Sequence, residues 1–105
     1  MITKRRRCPS HPGRILRMHY LEPLSITIAD LATILGISRK TLSKILNERG
    51  SITTEMALRL SRAFDTSPEL WLQLQKNYDL WHAIHHSKGW QGVKRIEKHV
   101  FAPAL

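Results

Sequence analysis

Between Ser38 and Arg49 the chain sets out Arg39, Lys40, Thr41, Ser43, Lys44 and Asn47, with no acid before Glu48. Nothing in this set forms a nucleophile with its base, and no glycine-rich loop cradles a phosphate. The chemistry available is hydrogen-bond donation and neutralisation of negative charge. Arginine and lysine match the paired acceptors of guanine, and short hydroxyl and amide groups suit phosphate oxygens or nearby base edges. Placed on a helix at about 100° per residue, Leu42, Ile45 and Leu46 share one side. Lys40, Ser43, Lys44 and Asn47 take the opposite side, with Arg39 and Thr41 flanking the N-terminal end. Any solvated surface helix is amphipathic in this way. The absence of acid from the polar face is what a phosphate-rich partner requires.

The elements holding this face are short helices around a tight turn. The first predicted helix runs from about Pro12 to Leu21. Proline suits its first turn, Ile15, Leu16 and Tyr20 recur at helical spacing, and Pro23 is expected to stop it. The second runs from about Ile28 to Leu35, with Thr27 as N-cap and Asp30 completing a weak capping box. Ile28, Leu31, Ala32 and Leu35 are its expected buried face. Gly36 then supplies a conformation other residues avoid. Ser38 caps the third helix, which ends near Asn47; the length of this helix-turn-helix and its polar second helix are those of a unit that lies in the major groove of DNA.

A fourth helix follows Thr53, with Ala57, Leu58, Leu60, Ala63 and Phe64 available for burial. Ser67-Pro68-Glu69 opens a fifth with a cap, a proline in the first turn and an acid near the positive end of the helix dipole, and it is expected to reach about His86. The expected fold is all-α, with a short strand conceivable only around Val93–Phe101.

The 105 residues suffice for one domain. With 17 Lys and Arg against 8 Asp and Glu the net charge is +9, which favours a polyanionic partner. The charge is uneven. Lys4, Arg5, Arg6, Arg7, Arg14 and Arg17 face no acid in residues 1–20, whereas residues 53–85 are slightly acidic. Lys88, Lys94, Arg95 and Lys98 make the end basic again. The implied organisation is a basic N-terminal arm at 1–10, a helix-turn-helix domain at 11–86 and a C-terminal tail at 87–105. Cys8 is the only cysteine, so no intrachain disulfide forms. No apolar run approaches the roughly 18–20 residues of a membrane span. The start carries no apolar stretch of the kind a secretory signal needs, and a cytoplasmic protein is expected.

Four stretches carry a family resemblance: His11-Pro12-Gly13-Arg14-Ile15-Leu16, Gly36 through Ser43, Ile52 through Leu60, and Ser67 through Gln75, closed by Tyr78-Asp79-Leu80-Trp81. Over about His11 to Ala83 the chain resembles HigA-type antitoxins, a branch of the Cro- and lambda-repressor-like helix-turn-helix proteins (the XRE family). The resemblance implies a five-helix DNA-binding domain working as a homodimer on a palindromic operator. It also implies repression of its own operon and neutralisation of a RelE-like ribonuclease toxin, as in HigB/HigA-type modules. Many such proteins carry glutamine at the first turn of the second helix, where it helps clamp a phosphate. Here Ile28 stands instead, which implies that one backbone clamp is missing.

The candidate DNA-binding residues are Thr27, Ser38, Arg39, Lys40, Thr41, Ser43, Lys44, Asn47 and Arg49. Arg39 and Lys40 are the best placed for base edges, with Lys44 one turn further. On the fifth helix Leu70, Trp71, Leu74, Tyr78, Trp81 and Ile84 form a core stripe. Leu72 and Leu80 fall outside it and are candidates for a two-fold dimer seam. His82 and His86 have an i, i+4 spacing that suits zinc, but no further ligands are evident, so no metal or cofactor is expected. Three other readings stand beside the repressor: a solitary regulator without a toxin, a protein-interaction module using the fold as scaffold, and nonspecific RNA or single-strand binding by the basic arms.

Overall fold

The computed structural model describes residues 7–97, and among these there is no strand. The first helix, α1, starts as an α-helix over Pro12–Leu16, widens into a π-helical turn over Arg17–Leu21 and closes with Glu22–Leu24. Four more follow: α2 Ile28–Leu35, α3 Arg39–Leu46, α4 Thr54–Phe64 and α5 Pro68–His86, then a 3-10 turn at Gly89–Gly92. The fold is the all-α, five-helix arrangement expected.

Local chemistry sets the starts. Thr27, Ser38, Thr53 and Ser67 each sit at an N-cap, with the side-chain oxygen accepting from the backbone N–H three residues on. At α1 the cap is His11, whose Nδ1 accepts from Gly13 N at 2.9 Å. The stops are less regular. Only α2 ends on a glycine in the left-handed region, Gly36 at φ 70°. Ser25, Glu48 and Asp65 adopt the same region at φ 54°, 62° and 53°. At the end of α3, Glu48 N donates to Ile45 O and Arg49 N to Lys44 O, which satisfies the carbonyls left open there.

Pro23 does not stop α1, which runs on to Leu24. Its ring would strike the preceding turn of a regular α-helix; the wider π turn before it makes room.

The core is Leu16, Leu31, Leu42, Leu60 and Trp71, all fully buried, with further aliphatic residues from every helix around them. Tyr20 packs on Phe64 and Trp71, with ring centroids 4.6 and 5.5 Å away, and so joins α1 to α4 and α5. Gln75, buried on α5, accepts from Ile52 N at 2.7 Å and donates to Asp79 Oδ1 at 2.9 Å, fastening α5 to the loop before α4.

Several expected core positions are exposed: Ile28, Leu58, Ala63 and Leu70. Ile28 and Leu70 lie in first turns, where the helix emerges from its neighbours. Met56, by contrast, is buried. Leu72 also departs from expectation, because it packs partly buried against the core and is not a free surface leucine. Leu80 is exposed, as expected. No strand forms over residues 93–97; the remainder of Val93–Phe101 lies outside the described residues, as do the tail beyond Glu97 and most of the N-terminal arm.

Candidate nucleic-acid interface

The polar face of α3 begins at its cap. Ser38 Oγ accepts from Thr41 N at 3.0 Å and donates to Thr41 Oγ1 at 2.8 Å. These two side chains hold the first turn and each other. Thr27 does the same for α2, accepting from Asp30 N at 3.0 Å. Arg39, Lys40 and Lys44 are exposed, and none has an ion-pair partner among the described residues. Leaving three neighbouring cations unpaired costs little at an exposed surface, and it leaves their charge available to an external anion.

The structure draws Arg39, Lys40 and Ser43 into one shallow cleft with Ile28 and Ala29, the first residues of α2. Asn47 lies at the other end of α3 and is turned back on the protein. Its Oδ1 accepts from Arg17 Nη2 and its Nδ2 donates to Ser43 Oγ, both at 3.3 Å. Arg49 is exposed just past the helix.

Two arginines that composition did not distinguish hold this face in place. Arg17, at the start of the π turn, donates from Nη2 to Leu46 O as well as to Asn47, closing the C-terminal end of α3. Arg59 of α4 donates from Nη1 to Leu35 O at 2.7 Å and Gly36 O at 3.3 Å, across the turn between α2 and α3. Its Nε donates to Glu55 Oε2 at 3.1 Å, the only ion pair among the described residues. A side chain at Gly36 would approach Arg59 Nη1 as well as strain the left-handed backbone. The i, i+4 pairing of Glu55 with Arg59 is a local feature of the sequence; the reach to the turn is not.

Gly13 sets the approach of α1 to α3. A methyl group there would be driven into the backbone carbonyl of Ile45. Beside it, His11 is buried, and burial holds its pKa below the usual 6.5 against the opposing pull of Glu48, the Gly50 backbone and Asp79. The neutral ring is the one that keeps Nδ1 as an acceptor for the α1 cap. Tyr78 packs edge-on against His11, with centroids 4.8 Å apart, and burial raises its phenol above 10.0, with Cys8, Glu48 and Asp79 adding to the effect.

The remaining candidates do not assemble a second site. Cys8 Sγ lies 3.3 Å from His82 Nε2, and the His82 and His86 rings stack with centroids 5.4 Å apart. Among the described residues, no group of three or more His, Cys, Asp or Glu is placed to hold a metal ion. Trp71 is buried, with Nε1 donating to Thr66 Oγ1; Trp81 stacks on His85 at 3.9 Å. Trp90 bonds back to Ser87 O and stays exposed. No helix among the described residues is long and apolar enough to cross a membrane.

Known proteins are similar to this chain over the segment that holds these helices. The Helix-turn-helix family model matches residues 18–71, which contain α2, the turn and α3. An uncharacterised HTH-type transcriptional regulator of Haemophilus influenzae is 45% identical over 97 residues, covering 92% of this chain and 88% of its own. The antitoxin HigA-1 of Vibrio cholerae is 38% identical over 80 residues, covering 76% and 75%. Among solved structures, antitoxin GraA in complex with its operator superposes with a TM-score of 0.81 at 38% identity, over 92% of this chain and 99% of that one.

Proposed function

The chain belongs to the helix-turn-helix family of DNA-binding transcriptional regulators that includes the HigA antitoxins, and from that premise we propose that it represses its own operon by reading base edges through Arg39 and Lys40. The observation that carries this reading is the exposed α3 face, where Arg39, Lys40 and Lys44 have no ion-pair partner among the described residues. Lys44 lies one turn further along the groove. Thr27, Ser38, Thr41 and Ser43 line the approach to the backbone, and Arg49 reaches a phosphate beyond α3. Asn47 contributes less directly, because its amide is held by Arg17 and Ser43.

Residues 11–86 are the DNA-binding unit in this reading, with 1–10 and 87–105 as basic arms. The protein works in the cytoplasm as a homodimer on a palindromic operator, which sets two α3 helices about one DNA turn apart. Leu80 is the better of the two proposed seam residues, being exposed on α5, while Leu72 offers only its uncovered edge. The GraA and HigA-1 relatives are antitoxins, which supports a toxin as the protein partner, and the RelE-like ribonuclease is the toxin that the resemblance implies.

Footprinting on the DNA upstream of its own gene tests this. Two protected patches about one helical turn apart, related by inverted sequence, are expected. Uniform protection, or none, would refute the operator reading. Co-purification of a small ribonuclease expressed from a neighbouring frame is expected to separate an antitoxin from a solitary regulator.

A further inference from the structure

Ile28 is the anomaly on the proposed DNA surface. It is a large aliphatic residue at the first position of α2, 38% exposed, set beside the cations and hydroxyl of α3. It does not stand alone. Together with Ala29 it forms the apolar wall of the shallow cleft whose other wall is Arg39, Lys40 and Ser43. A cleft with one apolar wall and one cationic, hydrogen-bonding wall fits a ligand that presents a small apolar group beside acceptors and negative charge.

The major groove offers one such group. Among the edges of the four base pairs, only the thymine 5-methyl is a distinct apolar group; the rest of the recognition pattern is donors and acceptors. Guanine acceptors and backbone phosphates lie next to it, within the span that Arg39 and Lys40 cover. We propose that Ile28 and Ala29 form a subsite for a thymine 5-methyl, so that each half-site carries an invariant thymine adjacent to the base read by Arg39 or Lys40. This assignment rests on the DNA-binding reading above and adds to it a specificity element that hydrogen bonding does not supply. Arg39 and Lys40 select the base pair by its acceptors. The Ile28 wall selects by methyl packing, which disfavours cytosine and guanine at the neighbouring step because burying Ile28 against a polar edge gains nothing.

The test needs no change to the protein at first. A preferred duplex is selected from a random library with the full chain, and each thymine in it is replaced singly by uracil, which removes the methyl and keeps every hydrogen-bonding group. Wild-type protein is expected to lose about three- to tenfold in affinity at one thymine per half-site and nothing at the rest, the scale of one buried methyl. The same titrations with Ile28→Ala, whose folding is checked by circular dichroism, are expected to bind the thymine and uracil duplexes equally at that position. Uracil replacement without effect at every position, with selection of the preferred duplex intact, overturns the subsite and leaves the DNA-binding reading standing. A uracil effect that persists unchanged in Ile28→Ala overturns the assignment to Ile28. Failure of any duplex to enrich overturns the underlying reading together with the subsite.

Discussion

Arg39 and Arg59 are the same residue type on neighbouring helices, and they do opposite things. Arg59 is committed within the protein: its guanidinium bonds Leu35 O, Gly36 O and Glu55. Arg17 is likewise committed, to Leu46 O and Asn47. Arg39, with Lys40 and Lys44, has no ion-pair partner among the described residues. The difference follows from which carbonyls each can reach. Arg17 and Arg59 lie beside helix ends, where backbone acceptors are left over, and they cap those ends from another helix. Arg39 and Lys40 lie at the start of α3, where the leftover backbone groups are donors and offer a cation no acceptor. The basic excess therefore includes two distinct populations, cations bonded within the protein and cations that have no ion-pair partner among the described residues and are proposed to meet DNA.

Removing each population in turn separates its effect on stability from its effect on binding. Arg39→Ala with Lys40→Ala is expected to leave the thermal midpoint near wild type. Operator affinity is expected to fall by about 1–3 kcal/mol for each bidentate base interaction removed, with the preference over shuffled DNA disappearing alongside. Gly13→Ala is expected to act the other way. Its methyl meets the Ile45 carbonyl, and calorimetry should show a loss of about 1–3 kcal/mol or more in stability, with binding weakened only through the displaced α3.

Arg59→Ala comes next, at about 1–2 kcal/mol of stability, because Leu35 O and Gly36 O lose a charged donor at a partly exposed site. Hydrogen exchange is expected to rise first in the turn at Gly36–Ser38. If Arg59→Ala instead abolished DNA binding with stability and exchange unchanged, the division into two populations would be wrong.

The smallest effect is that of pH. His11 in the folded chain titrates below 6.5, its value in the unfolded chain, so between the two the unfolded state holds more protons. Its contribution to stability is complete above about pH 6.5 and is lost as pH falls through the folded value. Melting curves from pH 8 to pH 5 should show the midpoint dropping below that point. In His11→Asn, which keeps a capping oxygen without a titrating ring, part of that drop should disappear.

What the sequence disclosed was local. The caps Thr27, Ser38 and Ser67, the helix start after Thr53 and the apolar side of α3 are properties of a few adjacent residues, and all appear where the pattern puts them. The misses are tertiary. Nothing near Ser25, Glu48 or Asp65 announces a left-handed backbone, since a glycine is the usual mark and only Gly36 carries it. Nothing in the sequence sets Arg17 and Arg59 apart from the other cations, because their acceptors are 29 and 24 residues away. Ile28 read as core because periodicity does not report where a helix emerges from its neighbours. The proposed DNA-binding set was legible as a face, but its division into cations without an ion-pair partner among the described residues, mutually bonded hydroxyls and a restrained Asn47 is visible only in the fold.

Arg39, Lys40 and Lys44, which have no ion-pair partner among the described residues, are proposed to read sequence and not merely to attract charge. Fluorescence anisotropy decides it, with the duplex upstream of the gene and a shuffled duplex each titrated at two salt concentrations. The account predicts a preference of about a thousandfold or more for the upstream duplex that survives the higher salt. Equal affinities that collapse together as salt rises would contradict it, since charge alone would then account for all the binding.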